Sequence, residues 1–234
     1  MRSYMFYKLQ LVFYRNKQTK LSLIFEELAE FIRQLPDWKE KPSTWFIAHP
    51  TETMIAIDNN YIAEKANDYV GVMIAKKKNF NIVLADKNKD DSVLTVWLMN
   101  TPAISDNRYY LTLTIASLSD KNNKAIFINL IKSLLKNIPW DFRYIMLDTE
   151  QYKMKQKAVF NDRVPVGWML YLPKVIDAND AVNASEIIYC NDKLGTIIVS
   201  KEIFIGNNQN DITISNNIEI ELAANGHLPL MTEL

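Results

Sequence analysis

The 234-residue sequence is short of the residues on which most enzyme chemistry depends, with one cysteine, two histidines and five glycines. The single cysteine, Cys190, excludes an intramolecular disulfide and a thiolate zinc cluster. His49 and His227 lie far apart and form no helical His-x-x-x-His pair. The glycines are too widely spaced for the phosphate-binding loop of a Walker or Rossmann motif. We therefore expect no metal, no cofactor and no catalysis.

Charge and hydropathy narrow the classes of partner. Lysine plus arginine number 27, as do aspartate plus glutamate, so no global positive field exists to attract nucleic acid or an anionic membrane. Basic runs occur at 76–78 and at Lys153, Lys155 and Lys157, but aromatic residues do not alternate with them. No apolar run approaches the roughly 20 residues that span a bilayer, and the start lacks a signal-peptide cleavage site. We expect a cytoplasmic protein that binds neither nucleic acid directly nor membrane.

Hydrophobic periodicity predicts two helices among many short strands. Apolar residues recur every three or four positions over 21–35 and 126–138, and Pro36 and Pro139 end these helices. Alternating segments predict strands over 9–14, 45–48, 70–74, 80–85, 93–99, 109–115, 142–147, 166–170, 186–190 and 196–200. A last hairpin is predicted from 211–215 and 218–222, with a loose end from Ala223. The pattern predicts an α+β fold of mostly antiparallel sheet, with one amphipathic helix in each half.

The order of these elements occurs twice. Strand, helix, proline with tryptophan, strand, Val-Gly segment and hairpin follow one another in both halves of the chain. Pro36 and Pro139 lie 103 positions apart, and Gly71 and Gly167 lie 96 positions apart. We interpret this as two β-α-β halves, residues 1–105 and 106–234, within one continuous compact unit. An internal structural duplication is the corresponding hypothesis.

Candidate catalytic residues are few. Asp148 and Glu150 follow a predicted strand, and two carboxylates of this kind can hold Mg²⁺ in a hydrolase or nuclease. No lysine follows at the spacing that a nuclease would need, so solvated turn residues are the preferred interpretation. A metal-dependent hydrolase and a non-catalytic oligomeric scaffold both stay open as alternatives.

Acidic residues gather in a loop-like stretch and at the tip of a predicted hairpin. We take them as candidates for contact with a basic partner, because opposite charge steers association and a tyrosine can anchor it. The candidate contact residues are Asp58, Tyr61, Glu64, Asp68, Asp90 and Asp91. Ordinary solvated surface is the alternative interpretation.

Two apolar motifs and the N-terminal strand with its helix carry a family resemblance. The motifs are Arg163-Val-Pro-Val-Gly-Trp-Met-Leu-Tyr-Leu-Pro173 and Leu194-Gly-Thr-Ile-Ile-Val-Ser-Lys-Glu-Ile-Phe204. Together they resemble the immunity protein 52 family of bacterial polymorphic toxin systems. The resemblance implies an α+β fold, no catalysis, and neutralisation of a cognate toxin, often one with a restriction-endonuclease-like nuclease domain, by occlusion of its active site. Val166, Gly167 and Trp168 carry over as motif positions with a structural role.

Overall fold

A computed structural model of the chain describes residues 5–37, 41–47, 52–76, 80–87, 94–101, 105–117, 124–149, 157–190 and 194–234. These residues form eleven strands and four α-helices. The strands are β1 Met5–Tyr14, β2 Thr44–Ile47, β3 Met54–Asp58, β4 Tyr61–Ile62, β5 Asn81–Ala85, β6 Leu94–Asn100, β7 Arg108–Ser117, β8 Asp141–Thr149, β9 Met169–Leu172, β10 Glu186–Cys190 and β11 Gly195–Val199. The helices are α1 Ile24–Arg33, α2 Glu64–Lys76, α3 Lys124–Asn137 and α4 Gln209–Ala224.

All eleven strands join one antiparallel sheet in the order β10-β11-β9-β8-β1-β7-β6-β5-β2-β3-β4. The ten-residue strands β1 and β7 lie at its centre, where Leu9 is opposite Leu113 on one side and Leu147 on the other. The predicted α+β class with antiparallel sheet is confirmed. Strands β6 and β7 pair across the predicted boundary at residue 105. The internal duplication is unconfirmed, and the division into two halves stays a prediction.

The helices cover the two faces of the sheet unequally. The first face carries Leu9, Leu11 and Phe13 of β1 and packs in one large cluster with the apolar sides of α1, α2 and α3. In that cluster the rings of Phe13 and Trp140 stack with centroids 3.9 Å apart. On the second face, Ile218 and Leu222 of α4 pack with side chains of β8, β9 and β11, namely Met146, Leu170 and Ile198. Helix α4 therefore covers the β8–β11 end of the second face.

The predicted helices and most predicted strands are found within a few residues. A 3₁₀ turn, Leu21–Leu23, and α1 fill the first predicted helix, and α3 fills the second. Buried residues of α1 recur every three or four positions, because one face of the helix packs on the sheet. Of the strands, only the segment predicted over 70–74 and the C-terminal hairpin are wrong.

Both wrong predictions concern helices. Gly71 and its apolar neighbours lie within α2, which buries only Ala66 and Val70 and so lacks a broad apolar stripe. Residues 211–222 lie within α4, where the N-cap Asn208 accepts hydrogen bonds from the backbone N–H groups of Asn210 and Asp211. The buried stripe of α4 includes Asp211, Ser215 and Glu219, so polar residues hide its helical period.

The chain end is also packed rather than loose. Leu228 and Leu234 are buried in the cluster under α4, and a 3₁₀ turn spans Met231–Glu233. Among the helices that the structure describes, none combines the length and the hydropathy that spanning a bilayer requires.

Candidate partner-binding surface

Over β6, β5, β2 and β3, no helix of the described part of the chain covers the second face of the sheet. On β6, β5 and β2 the burial alternates, so that residues such as Leu98 are buried in the core while their neighbours are half-buried or exposed. The outward apolar side chains belong to neither buried cluster. They are Phe46, Ile55, Val83, Trp97 and Met99. We call the second-face side of β6, β5, β2 and β3 the open face.

Strand register places the open-face residues in rows. Trp97 on β6 lies opposite Val83 on β5. A second row runs from Thr95 on β6 through Ala85, Phe46 and Ile55 on the next three strands. Because paired side chains on one face of a sheet lie about 5 Å apart, these residues form a contiguous surface.

Trp97 is held in place on the open face, on the strand next to β7. Its indole Nε1 donates to the Asn81 side-chain oxygen at 2.6 Å, and its ring meets that of Tyr110 edge to face with centroids 6.3 Å apart. Burial raises the pKa of the Tyr110 phenol, so the group stays neutral and accepts a hydrogen bond from the Gln10 amide. Trp97 is nevertheless 39% exposed. A fixed, exposed tryptophan is typical of the anchoring residues of protein interfaces.

The open face is large enough for part of a protein interface. Four strands about 4.8 Å apart, each with about five residues at about 3.3 Å per residue, span about 300 Å². A standard protein complex buries about 800 Å² on each partner. Side chains around the edge of the face would therefore have to contribute to any stable complex.

Two of the predicted contact residues lie at one corner of this face. Asn59 and Asn60, with φ of 46° and 70°, form a two-residue turn between β3 and β4. The turn places Tyr61 opposite Asp58, which is opposite Thr44 and accepts a hydrogen bond of 2.7 Å from its hydroxyl. Tyr61 is 80% exposed. The predicted loop is thus a hairpin, which presents both side chains beside the open face.

The other predicted contact residues are not gathered with them. Glu64 and Asp68 are exposed on α2, and that helix packs against the first face through Ala66 and Val70. The predicted acidic group is therefore divided between two sides of the sheet. Asp90 and Asp91 lie outside the described residues. Contact of any of these residues with a partner stays a prediction.

The three motif positions lie in the interior. Val166 donates its N–H to the buried Glu219 at 3.1 Å. Gly167 has φ +60°, and a Cβ there would lie 3.0 Å from both the Asp148 Cβ and the Leu147 oxygen. Trp168 is fully buried and donates its indole N–H to the Lys201 carbonyl at 2.8 Å. All three residues contact other residues of the interior, which agrees with a structural role.

The carboxyl group considered for hydrolysis is enclosed by the same segment. Asp148 is 0% exposed, and Gly167 lies directly against it. Glu150, the second candidate, lies outside the described residues, as do Lys153 and Lys155. Within the described ranges, no group of three or more His, Cys, Asp or Glu side chains is placed to hold a metal ion. Asp148 is therefore not presented to a substrate in this conformation.

Sequence reasoning missed the open face itself. Strand β6 is apolar on both sides, with Val96 and Leu98 inward and Trp97 and Met99 outward. A strand that is apolar on both sides is typical of burial on both faces. This pattern was the signal in the sequence for an apolar second face on β6. Whether a helix covers the outward side depends on packing between distant parts of the chain.

Comparisons with known proteins show a shared fold and no family assignment. No protein-family model matches the chain, and no curated protein matches it. Among solved structures, the chain is similar to the Pseudomonas aeruginosa T6SS protein PA0821, with a TM-score of 0.60 and 10% sequence identity. The match covers 93% of this chain and 73% of that one. At this identity the similarity establishes the fold alone.

Proposed function

We propose that this chain is a cytoplasmic, non-catalytic immunity protein that binds a cognate bacterial toxin and blocks its active site. The observation that carries the proposal is Trp97, fixed by Asn81 and Tyr110 yet exposed on the open face. The largest apolar patch of a typical monomer is about this size and is often a functional site. The open face is therefore the proposed contact surface.

Two further observations support the proposal. The motifs around Trp168 and Thr196 resemble those of an immunity family of toxin systems. The fold is shared with a protein named for a bacterial secretion system, the Pseudomonas T6SS protein. Both agree with a bacterial toxin as the partner.

The chemistry of the corner indicates what the toxin surface should look like. Exposed Asp58 and Tyr61 border the open face, and a nuclease toxin carries lysine and arginine where it holds phosphates. We expect an apolar patch on the toxin to cover Trp97 and Ile55, with a basic residue of the toxin beside Asp58. Such an arrangement would cover the phosphate-binding groove.

The test is binding and protection with the toxin domain encoded by the neighbouring gene. Wild-type protein should form a complex and suppress toxicity, and Trp97→Ala should weaken the complex at least tenfold, about 1.4 kcal/mol. Tyr189→Ala is the matched control, because Tyr189 is 49% exposed on β10 at the opposite end of the sheet. Absence of both complex and protection would refute the function. Equal effects of the two substitutions would refute the open face as the contact surface.

A further inference from the structure

The apolar side chains of the open face form a diagonal stripe. Ile55 and Phe46 lie opposite each other on β3 and β2, and Val83 and Trp97 lie opposite each other on β5 and β6. Phe46 itself is opposite Ala85, which lies two residues from Val83 on β5. The second pair is therefore displaced from the first by one side-chain step along the strands.

Met99 ends the stripe at β6. It lies two residues beyond Trp97 on the same side of the strand and is half-buried. From Ile55 to Met99 the stripe crosses three strand spacings of about 4.8 Å and two side-chain steps of about 6.7 Å, a distance of about 20 Å. Ile55, at the other end, is 43% exposed. The stripe is thus long, narrow and accessible at a side chain near each end.

Polar side chains border the stripe on both sides. On one side lie Thr95 of β6, Thr44 of β2 and Asp58 of β3. On the other side lies Asn81 of β5, whose side-chain oxygen holds the indole N–H of Trp97. A second sheet packs through an apolar face that extends over several strands and rows. These borders favour a partner element that is itself apolar along one narrow line.

Helix α4 shows that this side of the sheet accepts a helix. Its residues Ile218 and Leu222, four positions apart, pack with Met146, Leu170 and Ile198 at the β8–β11 end. An amphipathic helix carries apolar residues every three or four positions, and these residues form a stripe along its axis. A stripe of about 20 Å corresponds to about 13 helical residues at a rise of about 1.5 Å each.

We infer that the open face receives an amphipathic helix of the toxin, laid along the stripe from Ile55 to Met99. Recognition of this kind places the apolar line of a helix on an apolar surface of its partner. A lysine or arginine on the flank of that helix would lie beside Asp58, since this exposed carboxylate borders the Ile55 end. The inference rests on the proposed function for the identity of the partner, and it specifies the element that the open face binds.

Photo-cross-linking tests the shape of the bound element. In one variant p-benzoylphenylalanine replaces Ile55, in another it replaces Met99, and each is cross-linked to the toxin domain encoded by the neighbouring gene. Mass spectrometry should place the two cross-links in one segment of the toxin, about 13 residues apart. A spacing of about six residues would indicate an extended strand, and cross-links in two separate segments would indicate loops. Either result would overturn the inference.

The control for cross-linking is the same replacement at Tyr189. This residue is 49% exposed on β10, at the opposite end of the sheet from the stripe. It should give no cross-link to the toxin. An equal yield from Tyr189 would show that capture does not depend on the open face and would also overturn the inference.

A matched pair of substitutions tests the stripe itself. Met99 and Thr95 flank Trp97 on the same side of β6, and both are half-buried, but only Met99 belongs to the stripe. Met99→Ala should weaken toxin binding about fivefold and Thr95→Ala less than about twofold, because apolar contacts at the centre of an interface contribute most. If Met99→Ala lowers the urea midpoint, Ile55→Ala takes its place. Equal losses from the stripe variant and Thr95→Ala would contradict a helix lying along the stripe.

The outcomes separate this inference from the proposed function. If the wild-type protein neither binds the toxin nor protects against it, the proposed function fails and the helix assignment fails with it. If the complex forms and Trp97→Ala weakens it, but the cross-links do not have helical spacing, the function stands and only the helix assignment is refuted.

Discussion

Arg15 and Glu27 form a two-hydrogen-bond ion pair that fastens α1 to the sheet. The Nε and Nη2 atoms of Arg15 each lie 2.7 Å from a carboxylate oxygen of Glu27. The same carboxylate accepts the indole N–H of Trp140 at 2.7 Å. Burial lowers the pKa of Arg15, but the hydrogen bond and charge of Glu27 outweigh that effect and leave the pKa above its ordinary value.

Removal of either partner should therefore destabilise the protein strongly. The side chains are 4% and 13% exposed, so Arg15→Met or Glu27→Leu leaves a buried charge, and each should lower the free energy of unfolding by about 3 kcal/mol. The double variant should lose much less than the sum, because no lone charge remains. Urea unfolding of the four proteins measures the coupling. Additive losses would show that the pair acts as two independent residues.

The sequence predicted the elements whose pattern is local. The stripe of α1 and the alternation of β1 and β7 each follow from the residues of one segment, since one side packs on the core. Helix α4 escaped prediction because Ile212, Ile218 and Leu222 alternate with buried polar residues. Glu219, for example, has the character of a solvent-facing residue in the sequence. In the structure its carboxylate accepts hydrogen bonds from two backbone N–H groups.

The candidate surface was predictable only in part. Asp58 and Tyr61 were found by charge and aromatic character, and the structure places them at the corner of the open face. Trp97 was missed, because exposure on the second face depends on where α4 packs. That packing joins residues far apart in the chain, such as Met146 and Ile218.

Gly71→Ala should stabilise the protein by about 0.5–1 kcal/mol. Gly71 is exposed within α2, and nothing lies within 4 Å of a Cβ placed there, so alanine gains helix propensity without a clash. Gly195→Ala is the contrasting variant, since its Cβ would lie 2.6 Å from the Tyr171 hydroxyl and 2.7 Å from the Leu172 oxygen. It should destabilise the protein. Thermal unfolding compares the two, and destabilisation by Gly71→Ala would mean that α2 is not helical there.

Stability should fall between pH 10 and pH 12. Burial raises the pKa values of Tyr7 and Tyr171 from 10.0 to about 12. Below pH 10 both phenols stay protonated in the folded and unfolded states. Above it the unfolded state releases protons that the folded state keeps, so the free energy of unfolding falls as pH rises, by at most about 1.4 kcal/mol per pH unit for each tyrosine.

Tyr171→Phe separates this effect from general alkaline denaturation. The variant should show a shallower fall in urea midpoint across the same pH range, because one raised pKa has been removed. The Tyr61→Phe control alters a tyrosine that is 80% exposed and should leave the slope unchanged. Identical slopes for wild type and Tyr171→Phe would contradict the raised pKa.

Glu219→Gln should loosen the segment that lies over α4. The buried Glu219 carboxylate accepts the N–H groups of Val159 at 2.9 Å and Val166 at 3.1 Å. An amide turns a donor toward one of them, so unfolding should require about 1–3 kcal/mol less free energy. Hydrogen exchange at both amides should accelerate. Glu221→Gln is the control, because Glu221 lies on the same helix but is only half-buried, and it should change exchange at neither amide.

The substitutions Trp97→Ala and Trp168→Ala should lower the free energy of unfolding by very different amounts. Trp168 is fully buried against the rings of Tyr7 and Phe127, with centroids 5.9 and 5.5 Å away, so Trp168→Ala should cost about 3–5 kcal/mol. Trp97→Ala removes a ring that is 39% exposed and belongs to neither buried cluster, so the loss should stay near 1 kcal/mol. Urea unfolding at equal protein concentration measures both. A loss for Trp97→Ala as large as that for Trp168→Ala would make Trp97 a core residue, and any weaker toxin binding by that variant would then reflect unfolding rather than a lost contact.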